Sequence, residues 1–179
     1  MDYRLIKTKQ YVIGYCEISG EKSHKKEHET AYELLYQVLL SEFGVDAKTL
    51  TLAEQENGKP YFAEGNIFFN ISHCSGMAVC AASLNCDVGV DVEQVRECRE
   101  TTARRVMSDK EYEQFLSAED RDRVFFQMWT YKESVLKLTG EGIRRSLRET
   151  DSMSDDRYNV EQFELTVNGR EFIISCATK

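Results

Sequence analysis

The chain has 179 residues, 41% of them hydrophobic and 30% charged, with a formal net charge of −8 and a pI near 5.0. That length and apolar share suit a soluble globular protein, either one large domain or two small lobes around a real core. The acidic balance excludes a non-specific nucleic-acid binder, which needs a basic surface.

No basic start followed by an apolar stretch marks a signal peptide. The longest apolar run, "MAVCAA" (77–82), is far too short to cross a bilayer. Six cysteines (Cys16, Cys74, Cys80, Cys86, Cys98 and Cys176) form no CxxC pair and no framework spacing. They read as buried reduced thiols in a cytoplasmic protein, with no membrane and no nucleic-acid partner.

In chain order, "YVIGYCEI" (11–18) alternates as a strand does. From Lys22 to Phe43 the apolar residues Ala31, Leu34, Leu35, Val38, Leu39 and Phe43 recur at helical spacing, and Gly44 ends the helix. His24 and His28 stand at i, i+4 near its start, among lysines and glutamates, and read as solvated rather than metal-binding. "ENGKPY" (56–61) is a turn holding Pro60, the single proline. Two strand-like runs follow, "NIFFNIS" (66–72) and "GMAVCAASL" (76–84), joined through the polar "SHCSG". "CDVGVDVE" (86–93) is the next strand, and "ETTARRVM" (100–107) is helical. "SDKEYEQFLSA" (108–118) opens with Ser108 as N-cap and Glu111 completing a capping box.

A long helix is expected from about Glu119 to Leu138, stopping at Gly140, and residues 141–157 form a charged loop. "YNVEQFELTV" and "REFIISCAT" make a hairpin around Asn168-Gly169. This order gives an α+β chain of two similar lobes meeting near residue 87. Each is expected to be a small, mostly antiparallel sheet packed on a long helix.

The chemistry begins at "VGVDVEQV" (88–95), where Asp91 and Glu93 share one strand face although like charges repel. On the long helix Phe125, Met128, Trp129, Val135 and Leu136 form an apolar arc. Glu133 falls at its edge, Lys132 inside it, and Lys137 one turn beyond Glu133. The helix alone is better described by a Glu133–Lys137 surface pair with Lys132 snorkelling. Taken with Asp91 and Glu93, three carboxylates match the oxygen set of Mg²⁺, with lysines left to meet phosphate charge. Ser72 and His73, read as lying in a loop, suit an anion grip. No histidine is placed for a Ser-His-Asp triad.

Taken together, "GKP" (58–60), "FNISH" (69–73), "VGVDVE" (88–93) and "FFQMWTYKESVLKLTGEGI" (125–143) resemble the 4′-phosphopantetheinyl transferases, in particular the two-lobed, monomeric, surfactin-synthetase-activating (Sfp-type) class. The resemblance implies an N-terminal lobe (1–87) on the nucleotide side and a C-terminal lobe (88–179) carrying the metal and catalytic acids, in pseudo-twofold arrangement around one interfacial active site. The implied reaction is Mg²⁺-dependent transfer of the phosphopantetheine arm of coenzyme A to a serine of an acyl or peptidyl carrier protein, releasing 3′,5′-ADP.

On this chain Asp91, Glu93 and Glu133 would hold Mg²⁺. Glu133 would serve as or orient the base, and Lys137 would neutralise phosphate charge with support from Lys132. Asp91 would also adjoin the coenzyme, Ser72 and His73 would grip its 3′-phosphate end, and Lys59 with Pro60 would border the nucleotide. The chain departs from the family pattern at Tyr32, where an arginine is usual, and at Cys74, where a second serine is usual. A single-lobed trimeric transferase and a non-catalytic coenzyme A- or carrier-binding module are the competing readings. "GIRRSLR" (142–148) offers a basic patch for a carrier, or a solvated loop.

Overall fold

In the computed structural model, which describes residues 1–20, 23–142, 147–153 and 156–179, the alternating stretches become antiparallel strands. The N-terminal half contributes β1 (Arg4–Lys7), β2 (Val12–Glu17), a short ribbon of β3 (Leu52–Glu54) and β4 (Pro60–Phe62), then β5 (Phe68–Cys74) and β6 (Met77–Ser83). Four of these form a sheet in the order β1-β2-β6-β5, with β3 and β4 paired apart from it. The C-terminal half holds β7 (Val88–Gln94), β8 (Asn159–Val167) and β9 (Arg170–Thr178), ordered β7-β9-β8. Asn168 (φ 51°) and Gly169 (φ 72°) make the expected tight turn between the last two strands.

The helices are α1 (His24–Phe43), α2 (Glu100–Val106), α3 (Asp109–Ser117) and α4 (Arg121–Thr139). Their ends follow local chemistry. Ser23 caps α1 by accepting from the Lys26 amide, and Gly44 closes it in the left-handed region at φ 67°. The Ser108/Glu111 capping box is present at α3, and Gly140 (φ 70°) ends α4. Lys22, the expected first residue of α1, lies outside the described residues.

Each long helix covers one face of a sheet. Leu34, Leu35, Val38 and Leu39 of α1 pack with Ala78, Cys80 and Ala82 of β6. The opposite face of β6, Met77, Val79 and Ala81, joins Val88, Val90, Val92, Phe172, Ile174 and Cys176 in a second core between the two sheets. β6 is therefore buried on both sides, which accounts for its run of small apolar residues. Val135 and Leu138 of α4 pack on Ala177 of β9.

Two glycines allow the helices to close on the strands. A Cβ at Gly14 would stand 2.5 Å from Val38 Cγ2 of α1, and one at Gly89 would stand 2.2 Å from the Ser134 carbonyl of α4. The backbone of α4 thus lies directly against β7.

Three differences from the sequence reading concern local structure. β1 and the β3–β4 ribbon were not anticipated. Ser72 and His73 lie within β5, so the connection to β6 is shortened to Ser75-Gly76. Of the basic patch, Ile143, Arg144, Arg145 and Ser146 lie outside the described residues, while Arg148 donates to Asp109 and to the Arg104 carbonyl. All six cysteines are free, with Cys86 and Cys98 half-buried and the others buried. Among the described residues no helix is long and apolar enough to cross a membrane.

Candidate active site

β5 and β7 are the facing edge strands of the two sheets, and they are joined by side chains. Asn70 Oδ1 accepts from the Val90 amide at 3.0 Å, and Ser72 Oγ accepts from the Val92 amide at 3.4 Å. These bonds satisfy edge amides that would otherwise be buried without partners. Residues 89, 91 and 93 share one face of β7. The close approach at Gly89 brings α4 over that face, so Asp91 and Glu93 meet Glu133 and Lys137. The result is a cleft of about 600 Å³ lined by Asp91, Glu93, Glu133 and Lys137 on one side and by Pro60, Ser72 and His73 on the other.

Asp91 is 6% exposed and sits at the centre of the polar network. Its Oδ1 accepts from Lys137 Nζ at 2.7 Å and from Ser72 Oγ at 2.9 Å, and Lys137 also donates to Ser72 Oγ at 2.8 Å. Its Oδ2 is buried with no hydrogen-bond partner among the described residues. Glu93 accepts from Arg96 Nη1 at 2.8 Å, and that guanidinium lies 4.6 Å from the centre of the Phe126 ring.

Burial raises the Glu133 pKa above the usual carboxylate value; the charges of Asp91 and Glu93 add to this, and Lys137 opposes it. Burial likewise raises Glu93, with Asp91 adding to it and Arg96 opposing. Lys137 therefore pairs with Asp91 and not, as the helix alone allowed, with Glu133. The three carboxylates do not close on a common point: among the described residues no group of three or more His, Cys, Asp and Glu side chains could hold a metal ion as it stands.

Two other expectations are corrected. Lys132 is 1% exposed and faces away from the cleft, donating to Glu111 Oε2 at 2.6 Å and to the Val106 and Leu147 carbonyls. Glu111 in turn accepts from the Ser152 amide and hydroxyl. Burial opposes the Glu111 charge, but Lys132, Ser152 and Ser108 together hold its pKa below the usual value. All three of its protons are thus donated to protein acceptors.

Lys59 turns its ammonium to the Leu138 carbonyl at 2.9 Å, tying the ribbon turn to the end of α4, and burial lowers its pKa against the pull of Asp87. Ser72 lines the cleft, and its hydroxyl donates to Asp91 and accepts from Lys137 and the Val92 amide.

Several cleft residues escaped the sequence reading. His24 and His28, read as solvated, line the cleft beside His73, and Trp129, read as core, lines it from α4. The i, i+4 spacing of the two histidines put them on one helix face; their partner His73 comes from a distant strand and leaves no local signal.

The sequence model of the 4′-phosphopantetheinyl transferase superfamily matches residues 87–178. The chain is similar to the 4′-phosphopantetheinyl transferase HetI of Nostoc sp. (strain PCC 7120), with 32% identity over 130 residues, 68% of this chain and 55% of that protein. It is also similar to psf-1 of Bacillus pumilus, a 4′-phosphopantetheinyl transferase 35% identical over 118 residues, covering 64% of this chain and 50% of that one. Sfp of Bacillus subtilis (strain 168), of the same description, is 31% identical over 110 residues, 59% of this chain and 48% of that one. The chain spans about half the length of these curated relatives. The matched segment carries β7, α4 and β9, and with them Asp91, Glu93, Glu133 and Lys137. The chain belongs to the 4′-phosphopantetheinyl transferase superfamily.

Proposed function

We propose that the chain transfers the 4′-phosphopantetheine arm of coenzyme A to a serine of an acyl or peptidyl carrier protein, releasing 3′,5′-ADP. The observation that carries this reading is the convergence of Asp91, Glu93, Glu133 and Lys137 on one cleft, with an unpartnered Asp91 oxygen inside it. The names of the relatives, all 4′-phosphopantetheinyl transferases, support it.

The donor set fits Mg²⁺. An unpartnered buried carboxylate oxygen and two carboxylates of raised pKa are what a hard cation relieves. Asp91, Glu93 and Glu133 would hold it, and once bound it would neutralise and align the pyrophosphate. Phosphoryl transfer otherwise depends on positioning and charge. Lys137 offsets charge on the departing nucleotide phosphates. The carrier serine attacks the β-phosphorus, the bond from that phosphorus to the bridging oxygen breaks, and 3′,5′-ADP leaves with the electron pair. Glu133 serves as, or orients, the base that takes the serine proton.

In the same reading, residues 1–87 and 88–179 are two lobes in pseudo-twofold relation. They act as one cytoplasmic monomer with the active site at their interface. The single-lobed alternative is disfavoured by the involvement of β5 and β7 together. A non-catalytic coenzyme A-binding module draws support from the open arrangement of the carboxylates.

Incubation of several apo carrier proteins with coenzyme A and Mg²⁺, followed by intact mass measurement, separates these readings. A phosphopantetheine adduct on the carrier serine is expected. Coenzyme A binding without transfer to any carrier would favour the non-catalytic module.

A further inference from the structure

All three histidines of the chain meet at one rim of the cleft. The ring of His73 on β5 lies 5.0 Å from that of His24 and 6.2 Å from that of His28, both on α1. One carboxylate stands among them: Glu27 Oε2 is 3.4 Å from His73 Nδ1. Tyr32 packs on His28 at 5.0 Å, Glu54 of the ribbon lines the same cleft, and Lys137 reaches it from α4. Among the described residues lining the cleft, Lys137 is the single lysine or arginine. From the described lining residues, a ligand carrying several phosphates would thus meet one permanent cation and three imidazoles.

Positive charges gathered on neighbouring rings repel one another. An anion placed among them reverses the sign of that effect, and every ring it protonates gains a charge-assisted bond to it. We propose that His24, His28 and His73 together form a proton-linked grip for a phosphate monoester, so that the cleft takes up protons as it binds its nucleotide. The proposal rests on the coenzyme A reading above, in which the monoester is the 3′-phosphate. It adds His24 and His28 to that end of the site.

The free-state electrostatics are consistent. Burial pushes the His73 pKa below its usual value, His24 and Lys137 push the same way, and Glu27 opposes them. A ring neutral in the free protein and protonated in the complex binds more tightly as pH falls from its bound-state toward its free-state pKa.

The test is calorimetric titration of the full chain with coenzyme A and with 3′-dephospho-coenzyme A. It is run from about pH 8 to about pH 6.5, above the second pKa of a phosphate monoester at about 6, in buffers of different ionisation enthalpy. Coenzyme A affinity should rise roughly five- to tenfold as pH falls, with measurable proton uptake, while the dephospho compound shows little change. The double variant His24→Gln/His28→Gln alters two exposed side chains and should keep its thermal midpoint while losing most of the pH slope.

A flat coenzyme A profile, a wild-type slope in the double variant, or an equal slope for the dephospho compound would each overturn the proposal and leave the transferase reading standing. Absence of coenzyme A binding at every pH would overturn both.

Discussion

Lys132 donates its ammonium to three acceptors in a site 1% exposed, while Lys137, further along the same helix, points into a cleft where Asp91 keeps one oxygen without a partner. Around Lys132 every strong donor is answered, and the pair with Glu111 fastens the end of α2, the start of α3 and residues 147–152 to α4. Around Lys137 three carboxylates share two cations, Lys137 on Asp91 and Arg96 on Glu93, and Glu93 and Glu133 are pushed toward their protonated forms. The first arrangement is complete without a ligand. The second gains stability from positive charge brought by one, which is the condition a charge-neutralising active site needs.

The largest expected effect of breaking this contrast lies at the cleft. Glu133→Gln should lower carrier modification by about 10²–10⁴-fold, the range for loss of a general base, with an unchanged circular dichroism spectrum. Next comes Lys132→Met, which leaves the Glu111 carboxylate buried without its counter-ion. It should cost about 3–5 kcal/mol of folding stability, read by urea unfolding. Gly89→Ala follows. Its methyl would meet the α4 backbone, so an overpacking cost of about 1–3 kcal/mol is expected, with slower transfer because Glu133 and Lys137 move away from Asp91.

The smallest effect sharpens the comparison by reversing a sign. In the ligand-free protein Glu133→Gln should raise the thermal midpoint by roughly 1–3 °C, since it removes a carboxylate crowded by Asp91 and Glu93. Glu133 and Glu93 have raised folded-state pKa values, so the folded state holds more protons than the unfolded one. Their contribution to stability therefore grows as pH falls through those raised values and is absent at higher pH. The gain from Glu133→Gln should accordingly be greatest above neutrality and fade as pH approaches the ordinary carboxylate range. A midpoint difference that grows on acidification would contradict the assignment.

Local chemistry made much of this molecule legible in advance. Ser108 with Glu111, Gly44, Gly140 and Asn168-Gly169 mark their caps and turn because the bonds they make are to residues a few positions away. The pairing of Asp91 with Glu93 on one face follows from strand alternation alone. What stayed hidden depends on distant partners. Lys132 sits on the apolar arc where the spacing put it, but its role was decided by Glu111 and by two carbonyls on other elements. Ser72 bonds Asp91 and the Val92 amide because β5 lies beside β7, a neighbour relation no local pattern encodes. His24 and His28 read as solvated until β5 brought His73 to them. Glu111 itself was read correctly as a capping residue, yet the same carboxylate also holds Lys132 and Ser152.

The most direct measurement of the central claim compares transfer rates of Glu133→Gln and Lys132→Met with the wild type, on one carrier protein with saturating coenzyme A and Mg²⁺. It is made at a temperature where circular dichroism shows both variants folded. The account predicts a rate lowered by about 10²-fold or more for Glu133→Gln and a rate close to wild type for Lys132→Met. A Glu133→Gln rate within about twofold of wild type, or an equally deep loss in folded Lys132→Met, would contradict it.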